Sequence, residues 1–80
     1  MLESINIENI DIELDVLPPS ARAVYLILKE NNPMYIGEIT DHSDYSRRTI
    51  QQALNLLEKS DLVTHYPDFR DLRRHQYTIT

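Results

Sequence analysis

The chain has 80 residues, 41% of them hydrophobic and 26% charged, with no cysteine and a single glycine. That length supports one small domain whose core is marginal without a partner subunit, and the lack of disulfides and zinc–thiolate ligands fits an intracellular, cytoplasmic setting. No apolar run approaches the roughly 20 residues of a membrane span, the N-terminus has no basic-then-apolar signal pattern, and Gly37 alone cannot build a glycine-rich phosphate loop.

The net charge of −5 is unevenly placed. Glu3, Glu8, Asp11, Glu13 and Asp15 lie within residues 1–17, where there is no base, whereas acids and bases balance over residues 18–80. From Ser46 onward six bases face four acids. The chain therefore reads as an acidic N-terminal extension, 1–17, on an electrically polarised domain, 18–80.

Within the extension Ile5, Ile7, Ile10, Ile12, Leu14 and Val16 mostly alternate with acids and Asn. Period two with β-branched residues predicts an extended segment. Two readings stay open: a strand paired with its copy in a second subunit, or a frayed acidic leader.

Leu17-Pro18-Pro19-Ser20 breaks that run, since a residue before proline avoids the α region. Proline suits a helix's first turn, and Ala21, Val24, Tyr25 and Leu28 follow at helical spacing. The first helix is expected at 19–31, with Lys29 in its last turn and Asn31-Asn32-Pro33 as its stop. Pro33-Met34-Tyr35 reads as a short extended link. A second, short helix is expected at 36–42, carrying Ile36 and Ile39. His42-Ser43-Asp44-Tyr45 forms a turn, and Ser46 caps a third helix over 47–59 with Ile50, Ala53, Leu54 and Leu57 on its buried face. Leu62–Tyr66 reads as a strand, 67–74 as a polar, arginine-rich loop, and His75–Ile79 as the returning strand with Tyr77 and Ile79 inward. The fold class is α+β, mainly helical: a winged helix-turn-helix of three helices plus a C-terminal β-hairpin wing, preceded by an extended segment.

Three stretches carry a family resemblance. Leu17-Pro18-Pro19-Ser20-Ala21-Arg22-Ala23-Val24-Tyr25 resembles the opening of small archaeal MarR-like regulators. Ser46-Arg47-Arg48-Thr49-Ile50-Gln51-Gln52-Ala53-Leu54 resembles their recognition helix, and Asp71-Leu72-Arg73-Arg74-His75-Gln76-Tyr77 resembles their wing. The resemblance covers residues 17–80. It departs at Asn32, Asp44 and Asp61, where the family usually has glycine; Asn and Asp are the residues that best replace glycine in a left-handed turn. Larger MarR-like dimers clasp through helices flanking the winged domain, and the resemblance over residues 17–80 does not carry that dimerisation mode over.

At 100° per residue, Arg48, Gln52, Asn55 and Lys59 lie opposite the buried face of the third helix, with Arg47 and Gln51 beside them. Arginine can bridge guanine O6 and N7, and Gln or Asn can pair with adenine N6 and N7. Ser46 and Thr49 sit at the helix N-terminus, where free N–H groups favour a phosphate. Arg70, Arg73 and Arg74 are the wing cations available to flanking phosphates or the minor groove, with Asp68 and Asp71 as their competing local partners. Lys59 and Arg22 read as ordinary surface charges.

Other chemistries find less support. His42, His65 and His75 lie on three different elements and make no ligand pattern; the five tyrosines do not interleave with bases as a stacking surface; and no nucleophile–base pair is present. The expectation is a cofactor-free, sequence-specific regulator that binds double-stranded DNA as a homodimer, with no metal, membrane or enzymatic role. The alternative is a protein–protein adaptor on the same scaffold.

Overall fold

A computed structural model describes residues 16–80, and the expected extended run falls outside that range but for Val16, which is helical and exposed. Three helices are α1 (Pro19–Asn31), α2 (Ile36–Asp41) and α3 (Arg47–Lys59). Three strands are β1 (Met34–Tyr35), β2 (Val63–Asp68) and β3 (Asp71–Ile79).

Helix α1 starts with Pro19 at a position where a missing N–H costs nothing, and it buries Ala21, Val24, Tyr25 and Leu28. It ends at Asn32, which is extended (φ −83°, ψ 149°) rather than left-handed, because Pro33 follows and excludes the α region. Helix α2 is held at its start by the Glu38 carboxylate, which accepts the Tyr35 N–H at 2.9 Å. Ser46 caps α3 as expected: its hydroxyl accepts the Thr49 N–H at 3.2 Å.

The far end of α3 closes in a Schellman arrangement. Asp61 N–H donates to Glu58 O at 3.1 Å and Leu62 N–H to Leu57 O at 3.0 Å, which places Asp61 at φ 60°. Among the described residues Asp61 is the one non-glycine with positive φ, so the left-handed expectation holds there and fails at Asn32 and Asp44.

The sheet order is β1-β3-β2, all antiparallel. Met34 pairs with Tyr77, which turns the expected link into a sheet edge. Val63 pairs with Ile79 and the ladder continues to Pro67 opposite His75; a bulge then precedes the Asp68–Asp71 pair. This corrects the expected polar loop over 67–74. Both strands continue outward, and the turn consists of Phe69 and Arg70 alone. Arg73, Arg74 and His75 are exposed on a two-sided, solvated ribbon, where no inward–outward alternation betrays a strand.

Leu28, Ile39, Ile50, Leu54 and Leu57 are fully buried where the three helices meet, and Met34, Val63 and Tyr77 close that core from the sheet. Burial of such side chains supplies about 1.5–3 kcal/mol each. The core thus fixes α3 by one face and leaves its other face in solvent, beside the hairpin.

Candidate nucleic-acid interface

The exposed face of α3 carries Arg47, Arg48, Gln51, Gln52, Asn55 and Lys59, all solvent-exposed. The core face holds Ile50, Ala53, Leu54 and Leu57, so the helical-wheel assignment stands. Gln51 donates from Nε2 to Asn55 Oδ1 at 3.1 Å, one turn along the helix. Thr49 is half-buried and its hydroxyl accepts from Ser46 Oγ at 3.1 Å, which ties the two N-terminal hydroxyls together. Glu58, the acid of this helix, turns toward the sheet, and its carboxylate meets His65 Nδ1 at 2.8 Å. Negative charge is thereby drawn off the face that bears Arg48.

In the wing the spacing Asp-x-Arg occurs twice with one geometry. Asp68 Oδ1 accepts the Arg70 backbone N–H at 2.9 Å and its Nε at 3.3 Å. Asp71 Oδ1 accepts the Arg73 backbone N–H and its Nε, each at 3.1 Å. The two pairs differ in their surroundings. Asp68 is 8% exposed and also accepts a hydrogen bond from the Tyr35 hydroxyl, which in turn accepts from Arg70 Nη2 at 3.2 Å. The Tyr35 hydroxyl, then the Arg70 N–H groups, hold the Asp68 carboxyl down at about 2, and Asp68 in turn raises Arg70. Asp71 is more open, and its carboxyl is lowered chiefly by the Arg73 side chain.

Tyr35 therefore organises both remaining cations. Its hydroxyl binds the Asp68–Arg70 pair, and its ring lies under the Arg74 guanidinium, 3.7 Å from ring centroid to Cζ. A cleft of about 300 Å³ opens between α3 and the hairpin. Arg47 and Gln51 form one wall, Arg73, Arg74 and His75 the other, and Tyr35, Ile36, Gly37 and Tyr77 the floor. No acid lines it. Of the ten residues expected at the interface, the cleft brings together Arg47, Gln51, Arg73 and Arg74. Arg48, Gln52 and Asn55 stand on the outer face of α3, Ser46 and Thr49 at its start, and Arg70 is anchored at the hairpin turn.

Sequence reasoning missed Tyr35 as an organiser, and Glu58–His65 as a pair that turns the helix's acid toward the sheet. It also missed Asp68-Phe69-Arg70 as a copy of the Asp71-Leu72-Arg73 step, a repeat visible in the sequence itself. His65 and His75 lie diagonally across the hairpin, with ring centroids 5.1 Å apart. Among the described residues no group of three or more His, Asp or Glu side chains is placed to hold a metal ion. None of their helices is long and apolar enough to cross a membrane.

Solved structures share this architecture. A probable transcriptional regulator from Pseudomonas aeruginosa superposes with a TM-score of 0.76 at 23% identity, over 81% of this chain and 49% of its own. A MarR family transcription regulator gives 0.77 at 16% identity, over 96% of this chain and 55% of its own. The fold is a winged helix-turn-helix. Bordetella bronchiseptica BpsR, in a structure addressing regulation of its DNA binding by 6-hydroxynicotinic acid, gives 0.76 at 17% identity over 81% and 46% of the two chains. The chain thus spans about half the length of these three proteins. No family model and no curated protein matches the sequence. The winged helix-turn-helix expected from the element order is the fold observed, whereas nothing in these likenesses bears on an archaeal source.

Proposed function

We propose that this chain is a sequence-specific double-stranded-DNA-binding transcriptional regulator that works without a cofactor. The observation that carries the reading is the cleft between α3 and the wing, lined by no acid among the described residues, with Arg47, Arg48, Arg73 and Arg74 exposed and Glu58 turned away to His65. Helix α3 enters the major groove, where Arg48, Gln52 and Asn55 read base edges. Ser46, Thr49 and Arg47 hold phosphates at its start, and wing residues 67–74 grip the flanking backbone through Arg73 and Arg74, with Arg70 holding the turn.

The likeness to transcriptional regulators supports the same reading. The net charge of −5 does not oppose it. The surplus acids lie in residues 1–17, acids and bases balance over residues 18–80, and six bases against four acids follow from Ser46 onward. The protein acts as a homodimer over two half-sites about 34 Å apart, paired through the 1–17 extension and the exposed side of α1, where Leu26 is 56% exposed.

Fluorescence anisotropy with a labelled duplex from the region upstream of its own gene, across a salt series, tests the reading. Log affinity falls linearly with log salt. Absence of binding at low salt favours a protein–protein adaptor on the same scaffold. Removal of residues 1–16 followed by light scattering tests the pairing: the mass falls from dimer to monomer, and an unchanged dimer rejects that route.

A further inference from the structure

The tip of the hairpin is apolar in a way that neither the core nor the phosphate contacts use. Phe69 is 92% exposed and Leu72 is 66% exposed, each following one member of the last cross-strand pair, Asp68–Asp71. A ring that open at the end of a two-residue turn packs on nothing among the described residues. The turn is nevertheless fixed: Asp68 is locked to Arg70 and Tyr35, and Asp71 to Arg73. The ring is thus presented on a stiff mount.

We propose that Phe69, with Leu72 beside it, is a wedge that enters the DNA minor groove next to the major groove occupied by α3 and partly unstacks a base step there. The inference rests on the DNA-binding reading above and adds a second contact mode to it. Distance supports it. His75 lines the α3–wing cleft, and Asp71 lies four strand residues farther out, about 14 Å at strand rise. Adjacent major and minor grooves are half a turn apart, about 17 Å, so the Phe69 ring covers the remaining gap. Shape supports it too: one ring on a two-residue turn suits a groove about 6 Å wide. Charge at the tip is balanced, with the 91% exposed Arg73 side chain and the 81% exposed Arg70 side chain each paired to an aspartate of the hairpin, so the ring meets the groove without net repulsion from the phosphates. Apolar side chains inserted at a base step, flanked by arginine, bend a duplex and are tolerated best at flexible TA and CA steps.

The test uses the full chain and the same upstream duplex, with 2-aminopurine placed in turn at steps half a helical turn from the α3 site. Wild type raises 2-aminopurine fluorescence at one such step. Phe69→Ala with Leu72→Ala abolishes that rise and weakens binding by roughly tenfold, the loss of one stacked contact; Phe69→Trp keeps both. Both positions are solvent-exposed, and an unchanged circular dichroism melt shows that the fold is intact. If the double variant binds the duplex as tightly as wild type and gives the same 2-aminopurine signal, the wedge is wrong while the regulator reading stands. If wild type binds no duplex, the regulator reading itself has failed and the wedge with it. Co-sedimentation with phosphatidylserine vesicles that the double variant loses, without any 2-aminopurine response, would assign the tip to a lipid surface and overturn the proposal.

Discussion

Replacement of Arg48 by alanine separates reading of bases from attraction to phosphates. On α3 the outward residues Arg48, Gln52 and Asn55 are spread over seven residue rises, about 10.5 Å of helix axis, or roughly three base-pair steps. Each therefore addresses roughly one base pair. Arg48 is exposed, and no side chain of the described residues bonds to it, so its removal leaves no buried group unsatisfied and the fold is unaffected. A bidentate arginine–guanine contact discriminates by about 1–3 kcal/mol, or 5- to 150-fold. Competition anisotropy with the upstream duplex and a scrambled duplex of equal length reads the difference. Arg48→Ala weakens the specific complex by that factor and the scrambled complex far less, with the salt slope unchanged. Equal weakening on both duplexes, with a slope shallower by about one unit, would make Arg48 a phosphate contact and refute the assignment of bases to this face.

Three further outcomes follow from the packing and the wing. Leu54→Ala empties a fully buried site between the helices and lowers unfolding free energy by about 2–5 kcal/mol in a urea titration, a large share of an 80-residue domain's stability; a loss below 1 kcal/mol would show that the core is not packed as described. Ser46→Ala removes the hydroxyl that caps α3 and costs about 1 kcal/mol by the same titration, whereas Ser46→Asp keeps the cap. Asp68 titrates at about 2 against an ordinary 3.8, chiefly through the Tyr35 hydroxyl. Because its folded value is depressed, its contribution is complete above the ordinary value and is lost as pH falls toward 2. A carboxyl NMR titration of Tyr35→Phe therefore shows a higher Asp68 midpoint than wild type, and identical midpoints would remove Tyr35 as the cause.

The helices were legible because their signals are local. Proline at 18 and 19, the 21/24/25/28 stripe, Ser46 and the 50/53/54/57 stripe are each contained within one or two turns, and α1 and α3 run where they predict. The wing was legible only in outline. Over Leu72–His75 the returning strand is exposed at every residue, so Leu72, Arg73, Arg74 and His75 show no period of two, and a strand there looks like a polar loop. Left-handed turns were legible at one position of three, because Asn32 is governed by the proline after it and Asp61 by the Schellman bonds. The candidate site was legible on α3, where one helix supplies every residue. Its wing half depends on Tyr35 meeting Asp68 and Arg70 across 33 and 35 residues, a contact made by the β1–β3 pairing that two strand residues at 34–35 are too few to announce.

Amide chemical-shift mapping measures directly which face of the protein meets a duplex. Addition of the unlabelled upstream duplex to ¹⁵N-labelled protein at 50 mM salt shifts or broadens the amides of Ser46–Asn55 and of Phe69–His75, and leaves the exposed side of α1 around Leu26 in place. Perturbation confined to α1 or to the outer edge of β2, with α3 silent, would contradict the DNA-binding role of α3 and the wing.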